Sequence, residues 1–206
     1  MSNLEFGYIS PPTQSSASNT GVFSTDDVYD LITDEKYAKN FQLIEEIVLS
    51  GQQYADFTNI HEDKFKVHFM TFHNCTDFQS GGNVAFHFME SGSVVTGSIH
   101  DVVGAELKSD GGNYEPKSVS FSYMWIIPAS FSGGEVGNGY TYLYNLGNSS
   151  LYSSYTMHTT NTDPTTVVTT AFGGGVFKRK SVVNGIRAYF TGGTMNATIR
   201  LYGLPE

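Results

Sequence analysis

The sequence predicts an all-β fold, a jelly-roll-like antiparallel β-sandwich preceded by a short N-terminal arm and helix. Two observations carry this. About ten short runs alternate apolar and polar residues, and glycine-rich turns separate them. The clearest of these runs lie in residues 184–204, NGIRAYFTGGTMNATIRLYGL, where Gly192-Gly193 reads as a two-residue hairpin turn. Folding there sets Phe190 opposite Met195, Ala188 opposite Ala197 and Ile186 opposite Ile199. Arg187 then meets Thr198, and Tyr189 meets Asn196, on the other face. Ile186, Phe190, Ile199 and Leu201 are expected in the core, with Arg187, Tyr189, Asn196 and Arg200 outward.

Taken in order, the chain opens on an arm over residues 1–20, rich in Pro, Ser, Thr and Asn. Pro11-Pro12 enforces extension there, and little can be buried. One helix is expected next. Ser24 caps it, Asp27 stands at capping-box spacing, and Val28, Leu31 and Ile32 fall on one stripe. Asp26 and Asp27 suit the positive end of its dipole. So short a helix must pack on something. Val22, Phe23, Val28, Tyr29, Leu31 and Ile32 are the residues expected to anchor it to a partner. Residues 1–40 thus form an attachment segment, and residues 41–206 the β domain.

Strands are expected over residues 45–50, 53–60, 64–74, 83–89, 117–127, 140–146, 153–159, 165–172 and 176–180, with a short one at 94–99. Residues 91–116 are otherwise unpatterned, and 132–139 read as a glycine-rich loop. Within 64–74, Phe65, Val67, Phe69 and Thr71 share one face, and Lys66, His68, Met70 and Phe72 the other. Both faces are largely apolar, as in an inner strand or one buried at an interface. This predicts a homotrimer that buries part of that sheet or the strand carrying Phe86 and Phe88.

The net charge of −9 is unevenly spread. Residues 1–63 carry eleven acids against Lys36 and Lys39, while the remainder holds nine acids and nine bases. An acidic front repels nucleic-acid backbones and the body has no basic stripe, so no nucleic-acid partner is expected. Cys75 is alone, which excludes a disulfide within the chain. Residues 1–12 lack the basic start and apolar core of a signal peptide. The longest apolar run, Met124–Ile127, falls far short of the roughly 20 residues a spanning helix takes. Synthesis in a cytoplasm, without membrane insertion, is the expectation.

No catalytic set stands out, and neither an enzymatic activity nor a cofactor is expected. His61-Glu62-Asp63 has ligand-type residues, but neighbours in a loop diverge. His68 and His73 fall on opposite faces by parity, and neither H-E-x-x-H nor a Cys pair occurs, so no metal is expected. His73-Asn74-Cys75 has thiol-protease residue types, yet such groups meet from distant parts of a chain. Gly173-Gly174-Gly175 before Lys178-Arg179-Lys180 reads as a flexible strand connection beside a basic patch able to receive a neighbour's acidic front. Tyrosine is the richest signal. Tyr140, Tyr142 and Tyr144 share a strand face, Tyr152 and Tyr155 follow, and Tyr mixed with Ser, Gly and Asn is a contact-surface composition.

Three stretches carry a resemblance: G-V-F-S-x-x-D-V-Y-D-L over 21–31, IVLSG over 47–51, and N-G-I-R with TIRLYGL over 184–187 and 198–204. Together they resemble a broad group of small tailed-phage virion proteins from marine and cyanobacterial phages, called tail-fibre, decoration or structural proteins. The similarity covers both ends and the first strands, and leaves out 91–180. The resemblance implies a non-enzymatic structural protein on the virion exterior, attached to other virion proteins through its N-terminal part. It implies a jelly-roll module, often trimeric, tail-associated or fibre-type, with a role in host attachment. A capsid decoration (cement) protein is the alternative. From another class, a carbohydrate-binding module would use the tyrosine surface on a host-surface glycan.

Overall fold

The computed structural model of the protein describes residues 41–77, 82–127, 136–162 and 166–205. The arm, the helix expected from Ser24 and the anchoring residues Val22, Phe23, Val28, Tyr29, Leu31 and Ile32 lie outside the described residues. Among the described residues there are fourteen strands and no helix. They are β1 (Gln42–Gln52), β2 (Tyr54–Phe57), β3 (Val67–Asp77), β4 (Val84–Glu90), β5 (Ser93–Val94), β6 (His100–Lys108) and β7 (Asn113–Tyr114). Then come β8 (Lys117–Phe121), β9 (Met124–Ile127), β10 (Gly137–Tyr144), β11 (Ser153–Thr162), β12 (Val168–Phe177), β13 (Gly185–Phe190) and β14 (Met195–Leu204).

These strands form two antiparallel sheets. The larger runs β1-β14-β3-β10-β11-β12-β6, with β7 and β8 both pairing the far side of β6. The smaller runs β2-β13-β4, with β5 and β9 both beyond β4. Alternation explains the burial: every second residue of β11 and of β14 is buried. Met70, Phe72, Leu143 and Phe177 from the larger sheet share one core with Phe57, Phe86, Ile126 and Phe190 from the smaller. Phe86 and Phe88 are therefore core residues of the single chain.

The closing hairpin is corrected. Gly192-Gly193 carries the chain from the smaller sheet to the larger, for β13 pairs with β2 and β4 while β14 pairs with β1 and β3. The expected facing holds nonetheless: Ile186, Phe190, Ile199 and Leu201 are fully buried. Arg187, Tyr189, Asn196 and Arg200 occupy the alternate, half-buried positions. Alternation reports which face of a strand meets the core and not which strand lies alongside. Two strands on opposite sheets above one core share the same parity. The turn itself agrees, since of its two glycines only Gly193 has a positive φ, of 141°.

Three further expectations change. The run 117–127 is two strands on different sheets, β8 and β9, with the chain changing sheet at Ser122-Tyr123. The runs 165–172 and 176–180 meet in one strand, β12, which ends at Phe177 and holds Gly173-Gly174-Gly175 inside its ladders, while 178–180 lie beyond it. These glycines serve close packing there: a Cβ on any of the three would overlap a backbone carbonyl of β6 or β11. Finally, β6 lies in the unpatterned stretch, because the polar residues His100 and Glu106 take buried positions on it and hide its alternation.

Gly203 gives a direct test of such packing. The Phe65 ring, itself buried, lies where a Gly203 Cβ would stand. Gly203→Ala is expected to cost roughly 1–3 kcal/mol through displacement of that ring. Gly97→Ala, with only Ile99 Cγ2 within reach at 3.9 Å, is expected to be neutral. Urea unfolding midpoints of the two variants check this, and equal midpoints would show that the Phe65 ring yields freely.

Candidate functional site

The outer face of the larger sheet is the most distinctive surface of the described residues. On β10, Thr141 and Leu143 are buried, which turns Tyr140, Tyr142 and Tyr144 outward. Register then adds to them. Tyr142 stands opposite Phe69 of β3, and Phe69 opposite Tyr202 of β14. Phe69 is the hub, with ring centroids 4.7 Å from Tyr142, 5.6 Å from Tyr140, 6.0 Å from Tyr202 and 4.8 Å from Phe41. Tyr140 meets Tyr142 edge-on at 6.0 Å, an arrangement that ring quadrupoles favour. Its hydroxyl lies 3.3 Å from His158 Nδ1 on β11 in a hydrogen bond.

This face carries almost no charge. Among the residues whose side chains are described, no outward residue of β3, β10, β11 or β12 is Asp, Glu, Lys or Arg. Threonines fill much of it, and Thr160 and Thr170 pair across β11 and β12 at 3.2 Å. Arg200 on β14 is neutralised by Glu46 of β1.

Towards β6 the face becomes a groove. A cavity of about 780 Å³ is lined by Val103, Val119, Thr156 and Val176, and by Gly175. It adjoins a second of about 450 Å³ along Phe172, Gly173 and Gly174, the two sharing Val103, Lys117 and Thr156. Its walls combine exposed aliphatic groups, Val119 77% and Val103 61% exposed, with the charged side chains of Asp101 and Lys117, and Glu115 lines the adjoining cavity. Of the glycine triplet only Gly174, opposite Thr156, takes an outward position and leaves bare backbone there; Gly173 and Gly175, opposite the buried Met157 and Tyr155, face the core.

The structure divides the five expected tyrosines. Tyr140, Tyr142 and Tyr144 lie together on the outer face, and Tyr152 is exposed before β11, beneath Lys180 Nζ at 5.6 Å. Tyr155 is a correction. It is 2% exposed and points inward, because the buried residues of β11 are the odd-numbered ones. Burial pushes its phenol well above the ordinary range, against an opposing hydrogen bond to the Trp125 backbone. The sequence reading missed Phe69, Tyr202 and Phe41 as partners of the row, since only the order of strands brings them together.

The other candidates resolve individually. The basic patch is already occupied: Lys178 pairs with Asp101 at 2.7 Å, Arg179 with Glu90 at 2.6 Å, and Lys180 lies over Tyr152. Cys75 is buried, and burial pushes its thiol up to about 12, so no thiolate is available near neutrality. His68 and His73 do stand on opposite faces of β3, and His68 Nε2 bonds the Ile60 carbonyl at 2.7 Å. Burial lowers the pKa of His68. It also brings His87 and His100 down to about 4, with the Arg187 guanidinium adding to the effect on His87. No group of three or more metal-ligating side chains forms among the described residues. No family model, no curated protein and no solved structure matches this chain.

Proposed function

We propose that this chain is a non-enzymatic structural protein of a tailed-phage virion, an exterior tail-associated or fibre-type module that self-assembles as a homotrimer. The observation that carries the reading is the aromatic face on β14, β3 and β10, where the charge of Arg200 is paired with Glu46 and whose composition is that of a protein contact surface. The virion assignment rests on the sequence resemblance at 21–31, 47–51 and 184–204. A jelly-roll sandwich is the fold proposed. Its support is the strand order β1-β14-β3-β10 in one sheet and β2-β13-β4-β9 in the other, with the chain passing back and forth between the sheets.

Residues 1–40, with Val22, Phe23, Val28, Tyr29, Leu31 and Ile32, are the proposed attachment to other virion proteins. Deleting them is expected to leave residues 41–206 folded and unable to join the particle. Antibody labelling of intact particles by electron microscopy checks both points, and full incorporation of the truncated chain would remove the attachment role. Labelling over the head would favour a decoration protein. Carbohydrate binding is the second reading, favoured by the near-parallel Tyr142 and Tyr144 rings, 20° apart. A glycan array probed with the intact protein and with Tyr144→Ala decides it.

A further inference from the structure

We infer that residues 117–123, which carry β8 and the crossover between the sheets, form a latch that opens in acid. It lies closed against β6 while the His100 ring is neutral and lifts away once that ring is protonated, leaving the rest of the sandwich folded. Three observations set this segment apart. It is held from one side, for among the described residues β8 pairs with β6 alone. Phe121 stands opposite His100, Ser118 opposite Val102 and Lys117 opposite Val103, with a register shift between the first two pairs. It also commits little to the core: no residue from Lys117 to Tyr123 is buried, and the core resumes at Met124. Finally, Ser120 is held at a φ of 58°, a left-handed value that costs a residue other than glycine and is relieved on release. Segments with so few buried contacts open well below the free energy of global unfolding.

His100 locks the segment. Its fully buried ring stacks on Phe177 of β12 at 5.2 Å, and Phe121 of the segment takes the opposing position on the other side of β6. Neither ring nitrogen has a hydrogen-bond partner, so an imidazolium there would have nothing to offset its charge. The groups around it raise that cost. His87 on β4 and Lys178 just past β12 both repel a charge on His100. Lys117 on β8 is a further cation. The carboxylates on these elements are engaged: Asp101 by Lys178 and the Ser120 amide, Glu90 by Arg179 and Ser181. In the closed form burial keeps the pKa of His100 down at about 4, and lifting the segment lets water reach the ring and returns its ordinary value of 6.5. Below pH 6.5 the open form therefore binds one proton more than the closed form, and acid favours it. Opening takes Lys117, Ser118 and Val119 out of the groove wall and bares the backbone edge of β6. The groove is thus complete only near neutrality.

Hydrogen exchange of the full-length protein between neutrality and the closed-form value of His100, read by mass spectrometry and corrected for intrinsic rates, tests this. Amides of residues 117–123 are expected to exchange faster than those of β14 throughout and to ignore low urea, as local opening does. Their protection should fall about tenfold per pH unit below the ordinary histidine value, the effect of one proton. In His100→Phe it should stay constant over the same range. Exchange of the segment in step with β14, and equally dependent on urea, would mean that it leaves only with global unfolding, which overturns the latch. Local opening without pH dependence, or with the parent's dependence in His100→Phe, would show that His100 is not the lock and overturns the proposal too. A covalent pin keeps the test open if His100→Phe does not fold. Val103→Cys with Lys117→Cys, directly opposite on β6 and β8, is expected when oxidised to raise the segment's protection in mild acid towards that of β14. Reduction should return it to the parent value. Protection that the disulfide leaves unchanged would place the opening elsewhere and overturn the latch.

Discussion

Acidification is expected to destabilise this protein steeply as the pH falls from 6.5 towards 4, the interval between the ordinary histidine value and that of His87 and His100 in the fold. His87 is stacked on Tyr189, centroids 4.8 Å apart and 6° from parallel, with the Arg187 guanidinium close by. His100 is fully buried against Phe177, neither ring nitrogen has a hydrogen-bond partner, and His87 and Lys178 add repulsion. Both rings must therefore stay neutral in the folded state, while the unfolded chain protonates them freely. Between the two pKa values the unfolded state binds more protons, so stability is complete above pH 6.5 and declines as the pH drops. Each ring contributes roughly 3 kcal/mol to this loss when it is complete. Urea midpoints across this range for the parent and for His100→Phe check it. The variant should lose about one proton of the pH slope, and an unchanged slope would mean that His100 does not titrate with unfolding.

Truncating Phe86 to alanine is expected to cost about 3–5 kcal/mol, the largest effect of any single core change proposed for this fold. Its ring is fully buried on β4 and meets Tyr155 of the larger sheet at 5.1 Å and 85°, and Phe88 at 5.4 Å. It thus joins the two sheets through an edge-to-face pair. Collapse into the vacated space is resisted because β4 is held on one side by β13 and on the other by β5 and β9. Thr58→Ala, at an exposed position after β2, should change stability by less than about 0.5 kcal/mol. Guanidinium unfolding of both variants near neutral pH provides the comparison. Comparable losses would show that the sheets do not meet at Phe86.

The sequence disclosed facing far better than neighbourhood. Parity alone placed Ile186, Phe190, Ile199 and Leu201 in the core, and the structure buries all four. The same parity misassigned their partners, because residues meeting across a core and residues paired across a ladder alternate alike. Where polar side chains occupy buried positions the signal vanished, and β6, with His100 and Glu106 inward, was lost for that reason. Gly173-Gly174-Gly175 invited a break where the structure has a continuous strand, since a glycine run marks close backbone approach as readily as a turn. For the candidate site, the row Tyr140, Tyr142 and Tyr144 was legible from alternation within one strand. Phe69 and Tyr202 join it only through the order β14-β3-β10, which no local pattern encodes.

That order also sets when the domain can be finished. Ile47 of β1 pairs with Ile199 of β14, and Gln42 with Gly203, so about 150 residues must be made between the two partners. At typical synthesis rates this takes roughly 10–30 s. Loop closure over such a span costs little extra entropy, so the penalty falls on the rate of folding and not on final stability. Throughout that interval β1 is a strand without its partner, and Glu45 and Glu46 in its middle oppose capture by other nascent chains. Tyr202 lies on the same late strand, so the ring cluster around Phe69 is complete only once β14 has docked.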